Sequence, residues 1–215
     1  MQIATQLRTA LPTLNDPIGR FWATFAILQA FSPDTIASDA EAGLAAARAV
    51  GAPSYVAYIL RTAAVRLFHA DRPSLDRAIA ELDEAIQLHE SVGTTSNWEW
   101  MVLTWGRTLA DDLAALDTLR EAVMRTYEKR NWTAVAGTLE AAPVLLAQVA
   151  PAAAATVYGY LEQSPPPWGR TGVTLRSIAT ELVNGMPDNE AHRARGAGMD
   201  RHDIVALTLA AIAEN

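Results

Sequence analysis

Three aromatic residues, Trp22, Tyr58 and Trp100, occupy equivalent positions in the first helices of three predicted helix pairs. Arginine and threonine side chains recur beside them: Arg61, Thr62, Thr104 and Arg107. Aromatic rings mixed with arginine and hydroxyl groups are poor core material, whereas they are common in the lining of ligand grooves. These seven residues form the candidate site for a small molecule, a peptide or a protein partner. The alternative is that the aromatics pack between helices, as aromatic residues generally do.

Residues that could do catalytic chemistry are few and scattered. The adjacent carboxylates Asp111 and Asp112, with Glu140 as a further acid, leave open a hydrolase of helical-toroid type. The aspartate pair, however, falls at a helix junction, where acids cap helices and favour the positive end of the helix dipole. The sequence contains no phosphate-binding loop with lysine, no Gly-x-Ser-x-Gly elbow and no His-Glu-x-x-His pair. We therefore predict a protein without catalytic residues or a cofactor.

A metal site is not expected either. The sequence has no cysteine, so cysteine-based zinc sites are excluded. The four histidines, His69, His89, His192 and His202, fall on different predicted helices, and isolated histidines are more often surface or cap residues than ligands.

The elements that would position the candidate site follow a repeated helix-pair pattern. Pro17 and Pro53 each open an apolar helical run, and Val50-Gly51 and Val92-Gly93 each end one. The resulting spacings of about 34–42 residues are typical of helical-repeat solenoids, in which each helix pair buries its apolar face by stacking on its neighbours. The sequence therefore predicts an all-α, right-handed solenoid of tetratricopeptide-like helix pairs with a C-terminal helical cap.

When the first helices of the pairs are aligned, two faces of these helices can be distinguished by their residue types. One column reads Arg20, Val56, Trp98 and Trp132 and continues mostly with apolar residues, so we assign Trp98, Trp105 and Trp132 to packing. The column two residues further along lies about 200° around each helix and carries the candidate aromatics. In a helix-pair solenoid the first helices line the concave surface, so the candidate site is expected there.

Local signals predict where individual helices begin and end. Ser38 to Glu41 has the pattern of a capping box, and Asn131 and Asp200 are predicted N-caps. Pro143 is expected to kink or end the helix that Asn131 opens.

One break divides the sequence. The segment Ser164-Pro165-Pro166-Pro167-Trp168-Gly169 cannot continue a helix and favours an extended connection. We therefore predict repeats over residues 1–163 and a proline loop with capping helices over residues 164–215, within one continuous domain.

Composition excludes several function classes. The chain has 215 residues and a net charge of −7, which argues against direct binding of nucleic acid or of an anionic membrane. It has no signal-peptide core and no apolar run near the ~20 residues of a membrane span. The sequence predicts a cytoplasmic helical protein.

Beyond the generic repeat, the last part of the chain resembles a known family. The resemblance rests on five segments: 131–136 (NWTAVA), 150–159 (APAAAATVYG), 182–191 (LVNGMPDNEA), 194–200 (ARGAGMD) and 204–210 (IVALTLA). They are similar to the C-terminal tetratricopeptide-like region of large actinobacterial, mycobacterial-type LuxR-family ATP-binding regulators and of the related adenylate cyclase–STAND ATPase proteins. The resemblance implies a superhelix that senses an inducer or partner and controls an ATPase. In those proteins a cyclase or ATPase precedes the repeats, and a helix-turn-helix often follows them.

Two further functional hypotheses accompany the hydrolase. The first is a non-catalytic sensor or scaffold module of a bacterial transcriptional or signalling regulator, which binds a small-molecule inducer or a protein partner on its concave face. Its partners would include the ATPase, cyclase or helix-turn-helix domain of a parent regulator. The second is a self-association module that forms a homodimer through an exposed apolar surface. The hydrolase is the weakest of the three.

Overall fold

The computed structural model describes residues 2–29, 36–68, 72–94, 96–165 and 169–214, and side chains within them except those of residues 2–4, 36, 37 and 73. Over this part of the chain the protein is all-α, without a strand. No helix among these residues combines the length and the apolar character needed to cross a membrane. The chain divides into two compact units, residues 1–99 and 100–215.

The first unit contains α1 to α5 and the start of α6. Their bounds are α1 Gln2–Ala10, α2 Pro17–Gln29, α3 Ile36–Val50, α4 Pro53–Leu67, α5 Arg72–Ser91 and α6 Asn97–Leu109. Helix α3 packs against both α2 and α4, and α4 pairs with α5. A core that includes Phe21, Ala47 and Leu60 joins these helices.

The predicted start and stop signals of this unit are confirmed with one exception. Pro17 and Pro53 open α2 and α4, and Gly51 and Gly93 end α3 and α5 with positive φ angles of 77° and 69°. The predicted capping box at Ser38 is wrong, because α3 begins at Ile36 and Ser38 lies inside its first turn.

The second unit contains the rest of α6 and seven further helices. Their bounds are α7 Ala115–Glu128, α8 Trp132–Leu139, α9 Ala142–Leu146, α10 Pro151–Leu161, α11 Gly169–Asn184, α12 Asn189–Ala197 and α13 Arg201–Ala213. The predicted caps are confirmed: Asn131 accepts from the Ala134 N–H, and Asp200 accepts from the N–H groups of His202 and Asp203. These two bonds lower the pKa of Asp200. As predicted, Pro143 separates α8 from a new short helix.

The border between the two compact units lies far from the proline loop in the sequence. The boundary lies after Glu99, in the first turn of α6, whereas residues 164–165 of the predicted proline loop belong to the second unit. Residues 166–168 of that loop, and His69, lie outside the described residues.

Candidate binding surface

Trp22 is held on the surface of the first unit by its buried neighbour. The Asp16 carboxylate accepts hydrogen bonds from the N–H groups of Ile18 and Gly19 and fixes the first turn of α2. Phe21 is then completely buried, while Trp22, about 100° further around the helix, is 52 % exposed. A tryptophan ring is thus presented to solvent on a helix that is anchored on its other side.

Other rings surround Trp22. Its centroid lies 5.0 Å from that of Phe21, 5.8 Å from Phe25 and 6.4 Å from Tyr55, all in edge-to-face geometry. Edge-to-face contacts are favourable between aromatic rings and restrict the orientation of the Trp22 ring. Tyr55 was not among the predicted site residues, although its position three residues before Tyr58 places it on the same side of α4.

Tyr58 is the second exposed aromatic of this unit. Its ring is 40 % exposed, and the Arg61 guanidinium lies 5.0 Å from its centroid. The imidazole of His89 meets the ring edge to face at 5.9 Å. The structure therefore brings Tyr58 and Arg61 together, in agreement with their assignment to one face of the same helix.

A buried carboxylate holds Arg61 in place. Arg61 Nη1 donates to Glu99 Oε1 at 3.0 Å, and Nε2 of His89 lies 3.5 Å from the same oxygen. Glu99 is 1 % exposed, so its charge requires a compensating partner. Arg61 consequently connects a buried acid to an exposed ring. No feature of the sequence indicated this pairing.

Thr62 and Thr104 do not line an open surface, and their assignment to the groove is corrected. Both are buried, and each hydroxyl donates to its own helix, Thr62 to the Tyr58 carbonyl at 2.7 Å and Thr104 to the Trp100 carbonyl at 2.8 Å. A threonine inside a helix can satisfy its hydroxyl through the carbonyl four residues earlier, so it needs no external partner.

The candidate residues of the second unit, Trp100 and Arg107, contact other side chains of that unit. The Arg125 guanidinium lies 4.9 Å from the Trp100 centroid, and the indole N–H is buried without a hydrogen-bond partner in the described chain. Arg107 Nη1 donates to Thr118 Oγ1 at 2.6 Å, and its Nε lies 3.7 Å from the Asp112 carboxylate. Trp100 is only partly exposed, so the most accessible candidate rings are those of the first unit.

The tryptophans assigned to packing are less exposed than Trp22. Trp105 is buried, and its indole N–H donates to the Gly137 carbonyl at 2.8 Å, which confirms a packing role. Trp132 is half-buried against the core of the second unit, with the Arg201 guanidinium 4.0 Å from its centroid. Trp98 is also half-buried.

Two of the three acids of the hydrolase hypothesis have side-chain partners, and the third lies in a turn. Glu140 is 1 % exposed, and both of its oxygens accept from Arg176, at 2.8 and 2.5 Å. Burial raises the pKa of Glu140, while the Arg176 hydrogen bonds oppose that rise. Asp112 accepts from the Ala114 N–H at 2.9 Å, and Asp111 is the left-handed residue of the turn between α6 and α7.

Among the described residues no group of three or more histidine or acidic side chains is arranged to hold a metal ion. Comparison of the chain with protein-family models, with curated proteins and with solved structures finds no match.

Proposed function

We propose that this protein is a non-catalytic sensor or scaffold module that binds a partner through the exposed aromatic surface of its first unit. We define that surface by Trp22, Tyr55 and Tyr58, with Phe25 and Arg61 beside them. The single observation that supports the proposal is the exposure of Trp22 on a helix whose preceding residue, Phe21, is completely buried. Large aromatic side chains are enriched in the energetically dominant positions of interfaces.

The partner class follows from what the surface offers. Clustered rings offer apolar contact area that loses little conformational entropy on binding, because an aromatic side chain has only two rotatable bonds. The Arg61 charge is already compensated by Glu99, so apolar contact is expected to dominate. A protein segment with aromatic or aliphatic side chains fits this surface better than a small polar inducer.

The wider setting of the module comes from the family resemblance. On that basis the repeats form a right-handed solenoid in the cytoplasm, and the partner is an ATPase, cyclase or helix-turn-helix domain of a signalling regulator. The helix-pair packing of α2 to α5 supports a repeat architecture for the first unit. The alternative of a homodimer would be visible as a concentration-dependent mass in sedimentation.

A peptide-display experiment tests the proposal. Random twelve-residue peptides are selected on the full chain, and the enriched peptides are measured by fluorescence anisotropy against wild type and the Trp22→Ala, Tyr58→Ala double variant. Loss of two interface aromatics is expected to weaken binding by at least about tenfold, since each such residue contributes about 1 kcal/mol or more. Enriched peptides should carry aromatic or aliphatic side chains.

The matched control is Leu113→Ala in the second unit. Leu113 is a fully exposed apolar residue, so its removal changes surface hydrophobicity without touching the proposed surface. Equal binding by wild type and the double variant, or an equal loss in Leu113→Ala, would contradict the proposal.

A further inference from the structure

The second unit contains an open groove whose lining differs from the aromatic surface. It has a volume of about 370 Å³ and lies between the first half of α10, the end of α12 and the last turns of α13. Its walls are aliphatic, including Ala153, Leu207 and Ala211, and its two charged residues are Arg195 and Glu214. Thr156 also lines it, but its hydroxyl donates to the Ala152 carbonyl.

Two glycines fix the geometry of this groove. A Cβ on Gly196 would lie 1.8 Å from the Thr156 carbonyl oxygen, and one on Gly159 would lie 2.1 Å from the Arg193 carbonyl oxygen. Helices α10 and α12 therefore cross with their backbones in contact. This close crossing holds Arg195, the residue next to Gly196, beside α10, so the groove belongs to a tightly packed part of the unit.

The two arginines of α12 have different surroundings. Arg193 makes two hydrogen bonds to the Glu162 carboxylate, at 2.9 and 2.6 Å, and lies 5.4 Å from the Tyr158 centroid. The Arg195 side chain forms no hydrogen bond or ion pair with any residue the structure describes, and the Glu214 side chain is likewise unpaired within that part of the chain. One groove thus presents a free cation and a free anion beside aliphatic walls.

From this arrangement we propose that the groove binds a small zwitterion with an apolar side chain, of the class of aliphatic α-amino acids. Arg195 would bind the carboxylate, which guanidinium recognises through parallel hydrogen bonds, and Glu214 would bind the ammonium. The aliphatic side chain would contact Leu207, Ala211 and Ala153. The volume lies at the lower end of the 300–1,000 Å³ typical of ligand sites, which fits a small occupant. This site is independent of the aromatic surface.

Calorimetric titration of the full chain with three related probes tests the proposal. L-Leucine carries both charges, 4-methylpentanoate carries only the carboxylate, and isopentylamine carries only the ammonium. L-Leucine is expected to bind, and each single-charge analogue should bind at least about tenfold more weakly, because it lacks one of the two charge-assisted pairs. Arg195→Gln and Glu214→Gln should each weaken L-leucine binding by a similar factor.

The control is Arg120→Gln, which removes an exposed arginine of α7 that does not line the groove and should leave L-leucine binding unchanged. The absence of L-leucine binding at about 10 mM ligand would overturn the proposal, since that limit excludes even millimolar affinity. Equal affinity for 4-methylpentanoate and L-leucine would also overturn it, because the groove would then recognise an anion alone. Unchanged binding in either charge variant would have the same consequence.

Discussion

Each compact unit buries one glutamate against an arginine from a distant helix, but the two pairs are built differently. In the first unit Arg61 and Glu99 are 38 residues apart, and in the second Glu140 and Arg176 are 36 apart. Both glutamates are 1 % exposed. Glu140 uses both oxygens on Arg176, whereas one oxygen of Glu99 faces both Arg61 and His89.

The two pairs differ in whether the arginine also contacts an exposed side chain. Arg176 also donates to the Ser164 carbonyl at 3.3 Å, so its contacts fasten α11 to the rest of the second unit. Arg61 instead stacks on Tyr58, a ring that is open to solvent. The Glu140–Arg176 pair therefore stabilises the packing of the second unit, whereas the Arg61–Glu99 pair positions an exposed aromatic residue of the proposed binding surface.

Removing one arginine from each pair should produce the largest effects. Arg176→Met is expected to lower the free energy of unfolding by about 3–5 kcal/mol, because Glu140 is left buried without its cation. Arg61→Met should cost about half as much, because Arg61 makes one hydrogen bond to Glu99 whereas Arg176 makes two to Glu140. Urea denaturation of both variants, with Arg120→Met as an exposed control, measures the difference. Equal losses would show that the two pairs are equivalent.

A second contrast concerns glycines inside helices. Gly196→Ala should lower the free energy of unfolding by about 3 kcal/mol, because its Cβ would overlap the backbone oxygen of Thr156 and no side-chain rotation can relieve the clash. Gly43→Ala in α3 should change it by less than about 1 kcal/mol. There the nearest atoms are side-chain methyl groups of Thr24 and Ile59, at 3.1 and 3.2 Å, and alanine favours the helix. Thermal denaturation provides the readout, and similar shifts in the two variants would refute the backbone contact.

A smaller effect is expected in the pH dependence of stability. Because burial raises the pKa of Glu140, the folded state binds its proton more tightly than the unfolded state does. The contribution of this group is fully present below its ordinary pKa and is lost as the pH rises through the raised value. The unfolding free energy of wild type minus that of Glu140→Gln should therefore decrease as the pH rises from the ordinary pKa of a glutamate to the raised pKa of Glu140. A difference that is flat or increases with pH would contradict the raised pKa.

The sequence predicted the helices well because their ends depend on local chemistry. Pro17, Pro53, Asn131 and Asp200 act within one turn of their own positions, so their roles could be inferred from residue type and spacing alone. Ser38 failed as a cap because its helix starts earlier, at Ile36.

The rest depends on contacts between distant positions, which periodicity does not encode. Nothing in the spacing of Arg61 or Arg176 specifies which glutamate each would reach. The repeat alignment placed Trp22 and Thr62 on one face, but it could not show that one side chain is exposed and the other is buried with a satisfied hydroxyl. It also gave no sign of the groove between α10, α12 and α13, which requires the backbone crossing at Gly159 and Gly196.

The adjacent residues Trp22 and Phe21 permit the most direct test of the proposed binding surface. A selected peptide is titrated onto Trp22→Ala, and the free energy of unfolding is measured on the same sample. We predict at least about tenfold weaker binding with a stability loss below about 1 kcal/mol, whereas Phe21→Ala should lose about 3–5 kcal/mol of stability. Unchanged binding by Trp22→Ala, or a stability loss as large as that of Phe21→Ala, would show that Trp22 serves packing and not recognition.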